Sequence, residues 1–173
     1  MTRPRILIAG IGNIFLGDDA FGVEVVRRLL AQPLPPGVRA VDFGIRGFDL
    51  ATAIMDGPGT VILVDAVRRG GPPGTLYLIE PDVGDPVSAE LAATIEPHSL
   101  NPSRVLQYVR MMGGRLPVFR LLGCEPASFG TADEPQTELS PAVAKAVNQA
   151  LSCIHVLLAA IPDCECSPDS PLG

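Results

Sequence analysis

The stretch from Ile6 to Val23 constrains this chain more than any other. Ile6-Leu7-Ile8 is an unbroken apolar run, the pattern of a strand buried on both faces. Gly10 and Gly12 interrupt it, and Val23, Val26, Arg27 and Leu30 then recur at helical spacing. The chain therefore passes from a buried strand through a loop into an amphipathic helix. Between strand and helix lie two adjacent carboxylates, Asp18 and Asp19. In open α/β sheets, ligands bind in the loops that follow the carboxyl ends of strands. Either aspartate is able to cap the helix, and one suffices for that, so the second calls for another role.

The following segments continue the pattern. Gln32–Gly37 is a Pro-rich connector, Val38–Phe43 reads as a second strand and Phe48–Met55 as a short helix. Thr60–Asp65 is a third strand, its aliphatic run closed by a carboxylate. This β-α-β-α-β order predicts parallel strands with right-handed crossovers, the second and third strands flanking the first. Ala66–Gly74 carries two arginines, three glycines and two prolines, which leaves no room for a crossover helix. The strand at Gly74–Ile79 is therefore expected to run antiparallel to the third. Glu80–Thr94 is polar and irregular. Pro102–Met112 reads as a helix with Val105, Leu106 and Val109 on one face, and Pro117–Leu122 as a fifth strand. Ser140-Pro141 opens a last helix, with Val143, Val147, Leu151, Ile154 and Leu158 inward. Residues 1–161 read as a single domain and residues 162–173 as a disordered tail.

A chain of 173 residues, 47% hydrophobic, fits one domain with a substantial core. Its net charge of −6 argues against nucleic acid or an anionic membrane as the main partner. Met1-Thr2-Arg3-Pro4-Arg5 leads straight into the first strand, without the apolar region of a signal peptide, and no apolar run reads as long enough to span a bilayer. Cys124, Cys153, Cys164 and Cys166 form no paired framework, so a reduced, cytoplasmic protein is expected.

Three side chains stand out for chemistry: Asp19 after the first strand, Asp65 closing the third, and His98 after the fourth. The crevice above the first and third strands is the topological switch point, and the loop carrying His98 is long enough to reach it. Two carboxylates and an imidazole converging there would suit a divalent ion of the nickel or zinc type, or general acid–base work on a peptide bond. Each has a plainer reading. Asp19 and Asp65 could cap local structure, and His98 could be an ordinary loop histidine. His155, on the last helix, reads as a surface or packing residue. A dinucleotide site is a competing possibility: Gly10-Ile11-Gly12 follows a strand, and Asp42 closes the second strand where a ribose-binding acid would sit. Phe15 occupies the place of the third glycine, and the acidic pair would repel a pyrophosphate. Asp42 then reads as a turn cap. Cys124 could face the crevice or be a buried, inert thiol, and Cys164-Glu165-Cys166 is weak as a metal motif.

Gly10-Ile11-Gly12-Asn13, Gly17-Asp18-Asp19 and Gly22 together resemble the opening signature of the hydrogenase maturation endopeptidases. Val64-Asp65-Ala66 resembles that family's second acidic motif, Pro97-His98 with Leu100 its histidine motif, and Gly123-Cys124-Glu125-Pro126 a further family element. The resemblance runs from about Arg5 to Ala160. It implies a three-layer α/β/α sandwich of phosphorylase/hydrolase-like type, with a five-stranded mixed sheet in the order 2-1-3-5-4 and strand 4 antiparallel. It implies a protease that removes the C-terminal extension of a nickel–iron hydrogenase large-subunit precursor once nickel is in place. Asp19, Asp65 and His98 would then be both the catalytic and the metal-contacting residues. Many family members carry Glu where this chain has Asp19, which shortens the reach of that carboxylate. Nickel would come with the substrate, and no organic cofactor is expected. The precursor would be the partner, with no nucleic acid or membrane involved and a monomer as the simplest state. A non-catalytic relative that binds the precursor is the alternative. The sequence leaves the roles of Asp18, Cys124 and the Cys164/Cys166 tail open.

Overall fold

A computed structural model describes residues 5–80 and 100–161. The elements in chain order are β1 (Ile6–Ile11), a 3-10 turn (Gly17–Ala20), α1 (Phe21–Leu30), β2 (Val38–Gly44), α2 (Gly47–Met55), β3 (Thr60–Ala66), β4 (Leu76–Ile79), α3 (Pro102–Met111), β5 (Val118–Cys124) and α4 (Pro141–Ala160). The strands form one five-stranded sheet in the order β2-β1-β3-β5-β4, as expected. β1, β2, β3 and β5 are parallel, and β4 is antiparallel to β5. β4 thus runs against β3 in direction, but its hydrogen-bonded neighbour is β5, which slots between them from Leu76↔Cys124 to Ile79↔Leu121.

Strand alternation divides the core into two layers. Leu7, Ala9 and Ile11 of β1, with Val61 and Leu63 of β3, pack with Leu50 and Ile54 of α2 and Val105 and Val109 of α3. Ile6 and Ile8, with Ile62 and Val64, face Val25 and Leu29 of α1 and Val143, Val147 and Ile154 of α4. This is the three-layer sandwich. Asn101 caps α3, its side-chain oxygen accepting from the N–H groups of Ser103 and Arg104.

Two helices depart from the sequence reading. In α1, Val23 and Val26 are buried as read, but Arg27 and Leu30 are exposed, and Phe21, Val25 and Leu29 complete the buried stripe. α4 has 20 residues and a mean hydropathy of 1.4 over its most apolar window, so by length and composition it is able to cross a bilayer, contrary to the expectation. Alanines and aliphatics raise that average although the helix is two-sided. Val143, Ala146, Val147, Ala150 and Ile154 pack inward, while Lys145, Asn148, Gln149 and Ser152 are exposed.

The register sets up the site. Gly10 lies opposite Asp42 on one side and Val64 on the other, and Asp65 lies opposite Gly123. The carboxyl ends of β1, β3 and β5 therefore meet at one edge.

Candidate active site

Glycines let the backbones at this edge meet directly. A Cβ on Gly22 would stand 2.0 Å from the Val64 carbonyl oxygen, and one on Gly10 would stand 2.3 Å from the Gly22 oxygen. Gly12 has φ 135°, and a Cβ there would lie 1.8 Å from the Asp19 carbonyl oxygen. The β1–α1 glycines thus serve close packing of strand, turn and helix. The Gly12 N–H donates to the Gly44 carbonyl at 3.0 Å, and the Asn13 N–H donates to Asp19 Oδ2 at 2.7 Å. Two of the loop N–H groups that a pyrophosphate would approach are thus already engaged. Asp42, the residue considered for ribose or a turn cap, has its carboxylate 3.7 Å from Arg27 Nε of α1.

The adjacent aspartates differ in what they touch. Neither caps a helix: the 3-10 turn and α1 both lack a side-chain cap. The Asp18 carboxylate accepts from the N–H groups of Ala127, Ser128 and Ser140 and from the Ser140 hydroxyl, all on the loop after β5. Asp19, 4% exposed, turns towards the β1 end and takes the Asn13 N–H.

Asp65, 5% exposed, accepts the Ala66 N–H at Oδ1 at 2.8 Å. Burial and then the Asp19 charge hold its pKa well above the usual carboxylate value, and the Ala66 bond offsets this only in part. The structure therefore brings Asp19 and Asp65 into electrostatic contact at the carboxyl end of the sheet. His98 lies outside the described residues. Leu100, close after it in sequence, packs against the cluster that contains Val61 and Leu63 of the strand bearing Asp65. Among the described residues there is no group of three or more His, Cys, Asp or Glu side chains placed to hold a metal. His155 is exposed on α4.

Two further groups border the site. Cys124 is 1% exposed, and burial, followed by the Asp18 and Glu125 charges, pushes its thiol up to about 12. A thiol with so little thiolate is a poor nucleophile. Glu125, 5% exposed, was singled out in sequence only within the resemblance. Its carboxylate accepts from the N–H groups of Arg69 and Gly70 and from the Tyr77 hydroxyl. Desolvation raises its pKa, but these donors outweigh that and leave it below the usual value. Glu125 thus holds the segment that follows Asp65 and β3.

Comparison with known proteins places this edge in context. The sequence profile described as hydrogenase maturation protease matches residues 23–156. The hydrogenase 2 maturation protease of Escherichia coli is 32% identical over 155 residues, an overlap of 89% of this chain and 90% of that protein. The structure of the hydrogenase maturating endopeptidase HybD from E. coli superposes with a TM-score of 0.74 at 33% identity, over 90% of this chain and 92% of that one. The [NiFe] hydrogenase maturation protease HycI of Thermococcus kodakarensis gives a TM-score of 0.69 at 29% identity, over 90% and 93%. With the order and orientation of all five strands as that resemblance implied, and most of its length matched, the chain belongs to the hydrogenase maturation protease family.

Proposed function

We propose that this protein is the endopeptidase that removes the C-terminal extension of a nickel–iron hydrogenase large-subunit precursor after nickel insertion. The observation that carries the reading is the burial of both Asp19 and Asp65 at the carboxyl end of the sheet, where the charge of Asp19 acts on Asp65. Buried like charges raise the energy of the folded chain unless a cation or a proton balances them. An arriving divalent ion relieves that repulsion, and oxygen donors with an imidazole suit a first-row ion such as nickel. Asp19, Asp65 and His98 are the proposed residues that contact the nickel and carry the cleavage, the ion being part of the substrate. Peptide hydrolysis then proceeds by one of two routes. The carboxylates take a proton from the attacking water, or the substrate's ion polarises that water or the scissile carbonyl.

The partner is the precursor polypeptide, with no nucleic acid or membrane required, and a monomer is sufficient. The free thiols Cys124 and Cys153 are compatible with the cytoplasm. Incubation with nickel-loaded precursor, followed by mass spectrometry, tests the proposal. The expected products are a mature-sized large subunit and a released C-terminal peptide. Binding without either product would instead support a non-catalytic maturation factor.

A further inference from the structure

Asp18 is 1% exposed, yet it caps neither the 3-10 turn nor α1. Its Oδ1 accepts from the Ser140 N–H at 2.7 Å. Its Oδ2 accepts from the Ala127 N–H at 2.8 Å, the Ser128 N–H at 3.2 Å and the Ser140 hydroxyl at 2.9 Å. Backbone bonds reinforce the same junction. The Asp18 N–H donates to the Ser128 carbonyl, the Gly17 N–H to the Gln136 carbonyl, and the Gln136 N–H to the Phe15 carbonyl. The loop between β5 and α4 is thus pinned at both its ends to the turn that carries Asp19.

On the other side of the turn, the Asp19 backbone presses on Gly12 so closely that no Cβ fits there, and the Asp19 carboxylate meets the Asn13 N–H. Asp19 is therefore gripped between the end of β1 and whatever fixes its preceding residue. We propose that Asp18 is a positioning residue for peptide-bond cleavage: its carboxylate locks the β5–α4 loop onto the 3-10 turn and thereby fixes the Asp19 carboxylate in its working position. The inference rests on the proposed role of Asp19 for its consequence in catalysis, but not for its geometry. An ionised carboxylate suits the task because it is acceptor-only, and every group that reaches it is a donor. An amide would turn an NH2 towards at least one of those donors.

The test compares the parent with Asp18→Asn, Ser140→Ala and Ser140→Thr. Ser140→Ala removes one donor and leaves the backbone donors in place. Ser140→Thr keeps the hydroxyl, and the extended backbone of Ser140, φ −59° and ψ 154°, accepts a β-branched residue. NMR reads the Asn13 amide and the Asp19 carboxyl carbon, and precursor cleavage is resolved into kcat and KM. In Asp18→Asn both resonances move, and kcat falls roughly 10- to 100-fold, as for other residues that orient a ligand side chain, with KM little changed. Ser140→Ala moves the same signals in the same direction by less, and Ser140→Thr restores them. Should Asp18→Asn fail to fold, the Ser140 pair decides by the same readouts. Changes confined to Ala127, Ser128 and residue 140, with Asn13 and Asp19 unmoved, would overturn the proposal, since a purely structural clamp predicts that pattern. A parent that cleaves no precursor would defeat the proposed function instead, and the resonances would still decide whether Asp18 positions Asp19.

Discussion

Asp18 and Asp19 are neighbours with almost the same burial, and their surroundings differ. Asp18 is surrounded by donors, whereas Asp19 lies against the charge of Asp65. The consequence for Asp65 has a definite sign. Its folded-state pKa is raised above the ordinary value of 3.8, so the folded state holds the proton more tightly than the unfolded chain. The stabilising contribution of this group is complete below that ordinary value and is lost as pH rises through the raised, folded-state pKa. Above that raised pKa, an ionised Asp65 therefore opposes folding. Asp65→Asn keeps the shape and removes the charge. Its melting temperature at neutral pH is expected to equal or exceed the parent's, with the difference shrinking as pH is lowered towards 3.8, while precursor processing is lost. Thermal unfolding followed across that range by circular dichroism checks the stability half. A melting temperature well below the parent's at neutral pH would make Asp65 a structural residue. The resemblance singled out Asp19, but composition and spacing did not separate it from Asp18, whose partners are distant in the chain. The partners of Asp18 lie 109 to 122 residues away along the chain.

At the scale of elements, what the sequence revealed was local and what it concealed was tertiary. Aliphatic runs located the strands, and the lack of space between Ala66 and Gly74 revealed the reversal of β4, because both are properties of contiguous residues. The neighbour of β4 and the rotation of α1 depend on what packs where. Gly22 sits on the Val64 carbonyl, which fixes the helix face that meets the sheet. Val25, Val26 and Leu29 follow Gly22 on that face by helical geometry, leaving Arg27 and Leu30 outside. Gly22→Ala should therefore destabilise the protein by about 1–3 kcal/mol or more, since the obstacles are backbone atoms unable to rotate away. Gly59→Ala, whose Cβ would meet only the Arg5 carbonyl oxygen at 3.5 Å, should be tolerated. Urea unfolding of both variants makes the comparison. Glu125 acts on the segment after β3. Its lowered pKa means that its stabilising contribution is present above the ordinary carboxylate value and fades as pH falls through the folded value. Glu125→Gln puts an amide against the Arg69 and Gly70 N–H groups and the Tyr77 hydroxyl, at an expected loss of about 1–3 kcal/mol. Arg68 and Arg69 are exposed on this segment, so trypsin should cut there faster in the variant than in the parent.

At the scale of the whole molecule, the carboxyl end of the sheet combines a closely packed frame with two buried carboxylates that repel one another when both are ionised, and the proposed substrate supplies a compensating cation. A site made only of Asp19, Asp65 and His98 would leave coordination positions open, and such a set on its own favours copper over nickel. Selectivity for nickel follows more directly if the ion arrives already held by cysteine thiolates of the precursor and the enzyme's three side chains complete its shell. Soft sulfur ligands and a preset geometry would then make the choice of metal before the protease takes part. The carboxylates would detect only that a cation stands in the right place on a polypeptide. Repulsion between Asp19 and Asp65 would disfavour engagement with a precursor that lacks the ion, so its presence acts as the licence to cut. The purified protein is accordingly expected to carry no stoichiometric metal. Precursor without nickel should stay intact when mixed with the enzyme, even after free zinc is added, while nickel-loaded precursor in the same buffer is processed. Mass spectrometry of the two mixtures, alongside elemental analysis of the enzyme, makes the comparison. Efficient cleavage of metal-free precursor would sink the substrate-borne-metal mechanism and leave the carboxylates alone to activate water.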